Sequence, residues 1–190
     1  MGAMTVTGLP FGRPLTIDDL ESMPDDGHRY ELLDGMLLVS PAPGWSHQDV
    51  VGRMYLALMA ACTAGHRVLL TPFAVTFGTR DTELQPDVLV ARYGDLSAKN
   101  LPAAPVLAVE VRSPSTALVD LNLKKAAYER FGVESYWIVD PETPSFIAYE
   151  LTERGYAEVA RAGGDEVAEI TRPFAVRISP AELRRGLEPD

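Results

Sequence analysis

The sequence predicts an α/β fold, with one central sheet carrying helices and extended by an antiparallel hairpin. Two segments of helical period, near residues 46–64 and 118–131, are each flanked by short apolar runs of strand length. Asp34-Gly35 and Thr152-Glu153-Arg154-Gly155 each separate two such runs, which is the signature of a hairpin. With 190 residues, 46% of them apolar, the chain has material for one sizeable core. The expected organisation is an arm over residues 1–15 and a single domain over 16–190. Met1-Gly2-Ala3-Met4 reads as an appended leader ahead of a second methionine.

Taken in order, Thr16 caps a short helix with Asp19 at its third position, and Met23-Pro24 ends it. Arg29–Leu33 and Met36–Val39 form the first hairpin, stopped by Pro41 and Pro43. Ser46 opens the main helix and Gly65 follows its end. Helical spacing gathers Val50, Val51, Met54 and Leu58 on one stripe, with His47 in the middle of that stripe at the first turn. Strands are expected near residues 68–70 and 73–77, then a polar loop over residues 78–84. Next come strands after Pro86 and over residues 106–112. Ser113-Pro114-Ser115-Thr116 supplies turn and cap chemistry before the second helix, which Gly132 closes. Tyr136–Val139 reads as a buried strand, residues 146–151 and 156–160 as a second hairpin, and residues 174–178 as a last strand. A short helix capped by Ser179 follows, with Pro180 at its first position.

Charge and composition restrict the function. The net charge of −10 gives no bulk attraction for nucleic acid, so any DNA contact needs a local basic patch or metal ions. Cys62 is the only cysteine, which excludes an internal disulfide and suits the cytoplasm. His28, His47 and His66 lack zinc-ligand spacing. No signal peptide and no membrane-spanning run is expected.

The chemistry concentrates between Pro86 and Lys125. Strand alternation places Val106, Ala108, Glu110 and Arg112 on one face, while Leu107, Val109 and Val111 form a wholly apolar face. Asp87 shares a face with Leu89 and Ala91, again polar at one end of an apolar strand. Carboxylates on such strands are costly unless something binds them. In the second helix, counting from Leu121, Lys124 falls at about 300° inside the apolar stripe. Lys125 falls at about 40° on the polar side, beside Glu129. Asp120 points the same way as Lys124. Two carboxylates and a backbone carbonyl, that of Val111, make a hard oxygen site suited to Mg2+ or Mn2+. A nearby ammonium can orient water or stabilise developing charge.

This ordered set resembles the PD-(D/E)XK nuclease superfamily, and more closely a large bacterial family of restriction-endonuclease-like proteins. The matching residues are Tyr30 to Gly35, His47, Pro86-Asp87-Val88, Val109-Glu110-Val111 with Ser113 to Thr116, Lys124 to Tyr128, Gly132-Val133, and Tyr136 to Pro141. The resemblance implies a restriction-endonuclease-like fold with a four-stranded mixed core sheet flanked by helices, and Mg2+-dependent cleavage of DNA. Asp87 and Glu110 are its implied metal ligands. Glu31 is implied to approach from the first hairpin, with His47 as an accessory group. One position departs from the superfamily pattern: Arg112 stands where a lysine is usual, and arginine is a poor proton acceptor. The lysine role then passes to Lys124. Arg112 is read either as a phosphate contact or as the partner of Glu110. Superfamily members often pair to cut two strands, so a homodimer is expected. Two other readings use the same residues: a non-catalytic binding or regulatory module, and a metal-dependent hydrolase of a small phosphorylated molecule.

Overall fold

The computed structural model describes residues 12–113 and 119–186, apart from the side chains of residues 119–121. Most of the expected N-terminal arm, the cap at Ser115 and Thr116, and the side chain of Asp120 lie outside that description.

The chain begins with α1 (Ile17–Leu20), whose first turn is closed by Asp19. The Asp19 carboxylate accepts from the Thr16 N–H at 2.8 Å and from its hydroxyl at 2.9 Å. The hairpin β1 (Arg29–Leu33) and β2 (Met36–Ser40) follows in the register Leu33↔Met36. Its two turn residues, Asp34 and Gly35, have φ of 51° and 76°, the backbone that a two-residue hairpin turn demands. A Cβ on Gly35 would stand 2.4 Å from the Pro14 Cβ, so the incoming chain also requires glycine there.

The main helix α2 (Trp45–Ala61) starts two residues earlier than a cap at Ser46 indicated. Gly44 takes the extended cap conformation, and Ser46 is already helical. Then come β3 (His66–Leu70), β4 (Ala74–Val75), β5 (Val88–Arg92), β6 (Asn100–Leu101) and β7 (Leu107–Val111). The expected strand over residues 73–77 shrinks to the two residues of β4, which pair with β6. The segment read as a loop does more than connect. Glu83 and Leu84 bridge to Leu32 and Val75, because fully buried Leu84 packs beside Leu33, Ala108 and Tyr136.

The second helix is not regular throughout. Val119–Lys124 is a π-helical turn, and only α3 (Lys125–Arg130) is α-helical. The chain ends through β8 (Ser135–Asp140), β9 (Ser145–Thr152), β10 (Gly155–Gly163), β11 (Ala168–Ile170), β12 (Val176–Ile178) and α4 (Pro180–Arg184). Strand β11 escaped the sequence reading because its three residues are too few to show a period.

The central sheet has the order β10-β9-β8-β7-β5-β3. It is mixed, with β7 and β8 parallel and the other neighbouring pairs antiparallel. The long hairpin β9-β10 thus continues the sheet and makes it six-stranded. Both faces are covered. Val50, Val51, Met54 and Leu58 of α2 pack on Leu107, Val109 and Val111, the apolar face of β7. On the opposite face, Ala127 and Tyr128 of α3 and Leu33 of the first hairpin pack on Ala108, Tyr136 and Ile138. No helix among the described residues is long and apolar enough to cross a membrane.

The two faces of α2 differ sharply: Leu58 is fully buried and Leu56 is 66% exposed. Leu58→Ala is expected to cost about 2–5 kcal/mol in urea denaturation. Leu56→Ala is expected to change stability by no more than about 0.5 kcal/mol.

Candidate active site

Asp87 immediately precedes Val88, whose partner Val109 immediately precedes Glu110, so the two acids stand at neighbouring positions of adjacent strands. The two acids therefore lie side by side on the face covered by α3 and the first hairpin, and each is only 1% exposed. Ion desolvation is expensive, so each must meet donors, and both do.

Glu110 Oε1 accepts from Lys124 Nζ at 3.1 Å and from the Tyr128 hydroxyl at 2.8 Å. Lys124 Nζ also stands 2.9 Å from Glu31 Oε1, with Lys124 2% and Glu31 1% exposed. The ammonium is thus clamped between two buried carboxylates, one from β7 and one from β1. Glu31 is itself fixed by the Gln85 N–H at 2.8 Å.

Asp87 Oδ2 accepts from the Val111 N–H at 2.8 Å, and Oδ1 accepts from Arg29 Nη1 at 2.9 Å. His47 reaches round the sheet end from α2. Its Nε2 lies 2.9 Å from the Val111 carbonyl and 3.3 Å from Asp87 Oδ2. A carbonyl only accepts, so Nε2 carries the proton.

Charge placement follows from these contacts. Burial pushes the Asp87 carboxyl upward, but the His47 hydrogen bond and the Arg29 charge outweigh it and hold Asp87 well below the usual range. Burial lowers the His47 value, and Asp87 and the Val111 carbonyl more than reverse it, so the net shift is upward. Burial, with the Glu110 and Glu31 charges, raises Tyr128, which keeps its hydroxyl a donor.

The structure brings together Asp87, Glu110, Lys124, Glu31, His47 and Val111. Arg112 pairs with Asp140 and not with Glu110. Its Nη1 donates to Asp140 Oδ2 at 2.6 Å, because the parallel register of β7 and β8 places Asp140 beside it. Lys125 also departs from expectation. Its ammonium lies 3.6 Å over the Tyr149 ring, and Glu129 accepts from the Tyr156 N–H at 2.7 Å.

Two site residues were missed in the sequence. Tyr128 follows Lys124 by four, the helical spacing that puts both on one face. Arg29 precedes Glu31 by two, the strand spacing that does the same. Either spacing could have flagged them.

The donor set suits a hard divalent cation in kind, with the Asp87 and Glu110 carboxylates and the Val111 carbonyl all offering oxygen. No group of three or more His, Cys, Asp or Glu side chains among the described residues is arranged to hold a metal. Two carboxylates plus a carbonyl would be the smaller protein share with which Mg2+ keeps several waters. The site borders a cleft of about 720 Å3, which has Arg29, His47 and Ser113 among its walls.

Removing the ammonium alone leaves two buried carboxylates facing each other. Lys124→Met is expected to cost about 3–5 kcal/mol in denaturation with chelator present. The double variant Lys124→Met/Glu31→Gln should cost at least about 1 kcal/mol less than the sum of its singles. Strict additivity would contradict the clamp.

A solved structure from Anabaena variabilis ATCC 29413, described as a putative nuclease belonging to DUF820, superposes with a TM-score of 0.72. It covers 90% of this chain and 98% of its own, at 20% sequence identity. At that identity the likeness establishes the restriction-endonuclease-like fold. No curated protein matches in sequence. The Uma2 family, described as putative restriction endonuclease, matches residues 17–182, and the chain belongs to that family.

Proposed function

We propose that this chain is a metal-dependent DNA endonuclease that hydrolyses phosphodiester bonds. The observation that carries the reading is the Lys124 ammonium held in a buried pocket by Glu31 and Glu110, with Asp87 on the adjacent strand at the sheet end. Buried ion pairs contribute little net stability, so a clamp of this kind is better explained by chemistry than by folding.

In this reading Asp87, Glu110 and the Val111 carbonyl hold Mg2+ or Mn2+. Bound there, the ion supplies Lewis-acid polarisation of the phosphoryl group and neutralises its charge. The chain's own residues do the positioning. Lys124 presents N–H donors beside Glu110 to orient water or to stabilise charge that develops at phosphorus. Glu31 holds that ammonium in place, and the Tyr128 hydroxyl fixes the Glu110 carboxylate. His47 ties Asp87 to the Val111 carbonyl, so both oxygens keep their orientation. Arg112, engaged by Asp140, stands outside the chemistry. A homodimer would present two such sites to the two strands of a duplex.

The net charge of −10 favours a second reading, hydrolysis of a small phosphorylated molecule at the same site. Plasmid DNA and a small aryl phosphodiester, each with Mg2+, Mn2+ or chelator, separate the two. The nuclease reading predicts DNA cleavage that chelator abolishes. It also predicts that Asp87→Asn, Glu110→Gln and Lys124→Met each lower the rate by about a hundredfold or more. Cleavage that persists in these variants places the chemistry elsewhere. Turnover of the small ester with DNA left intact supports the second reading.

A further inference from the structure

Arg29 occupies an unusual place. Strand alternation in β1 puts it on the same face as Glu31, and the fold sets it against Asp87. Its Nη1 donates to Asp87 Oδ1 at 2.9 Å, while the Gln85 carbonyl is 3.4 Å away. Its Nε stands 3.6 Å from Glu31 Oε2, beyond good hydrogen-bond distance, and finds no hydrogen-bond partner among the described residues. Glu110 also acts on it through space.

A guanidinium is a five-donor fork that normally engages carboxylates in pairs of parallel bonds. Here it makes one short contact in a cluster of three carboxylates and lines an open cleft. It offsets one of the cluster's three negative charges and leaves its own Nε without a hydrogen bond.

We propose that Arg29 is the resident counter-cation of the site, its guanidinium seated on Asp87 and beside Glu31, so that it shares the Asp87 carboxylate with a divalent ion bound there. Arg29 thereby sets the metal affinity. A +1 guanidinium and a +2 ion that share the Asp87 carboxylate repel one another at short range, so each weakens the other's hold. This inference rests on the metal reading given above.

The test is Mn2+ binding, by calorimetry at low ionic strength without DNA, to the wild type, Arg29→Gln, Arg29→Lys and Asp87→Asn. Arg29→Gln removes the charge and is expected to bind Mn2+ about tenfold tighter. Arg29→Lys keeps the charge and should stay within about threefold of wild type. Asp87→Asn should lose binding. Equal or weaker affinity in folded Arg29→Gln, with wild-type binding present and lost in Asp87→Asn, overturns the Arg29 inference and leaves the metal reading intact. Absence of Mn2+ binding in every protein overturns both. A second measurement needs no variant. Saturating Mg2+ added to the 15N-labelled wild type should shift the Arg29 Nε–Hε resonance, and a resonance that stays in place overturns the inference.

Discussion

A lysine ammonium shut away from water between two carboxylates is the constraint on which the remaining architecture depends. Lys124 comes from the turn that precedes α3, Glu110 from the middle of the sheet and Glu31 from a hairpin far earlier in the chain. None of these three ions tolerates burial alone. Their mutual contact therefore ties the first hairpin, the sheet and the second helix into one register. A shift of β1 by one residue would exchange Glu31 for an apolar neighbour and strand the ammonium. Tyr128 and the Gln85 N–H take up further acceptor capacity on the two carboxylates, which keeps them from swinging.

The same cluster holds more acid than a stable core has use for. Glu31, Asp87 and Glu110 face the cations of Arg29 and Lys124, with His47 completing the set at the sheet end. Hydrophobic residues of similar size would serve folding at least as well. The fold keeps these charges where the main helix and the strand ends meet a cleft, the position where open α/β sheets place their sites. Stability and chemistry are thus in tension at one point. The apolar packing of α2 on the other face of β7 supplies what the polar face does not.

Much of this was legible in the sequence. Period-two alternation separated Glu110 from Leu107, Val109 and Val111, and the structure keeps those faces apart. Helical spacing selected Lys124 over Lys125, and Lys124 is the buried one. That success has a limit, because the turn carrying Lys124 is π-helical and its wider spacing spoils the angles before it. At the roughly 100° spacing of an α-helix Leu123 falls at about 200° from Leu121, on the side of Ala127, yet it is 43% exposed. What local patterns missed were contacts decided by distant chain. Glu129 is taken by the backbone of Tyr156 on β10, which leaves Lys125 to the Tyr149 ring. Arg112 meets Asp140 only because β7 and β8 are parallel neighbours. Arg29 lies 58 residues before Asp87, a pairing no local period can announce.

The central claim is that the two acids at the sheet end, with the Val111 carbonyl, are a divalent-cation site and not merely a buried ion-pair cluster. Anomalous diffraction from crystals soaked in Mn2+ tests it most directly. The claim predicts an anomalous peak at about 2.1 Å from oxygens of Asp87, Glu110 and the Val111 carbonyl. A saturating soak with no peak there, or with its peak at some other carboxylate, would contradict it.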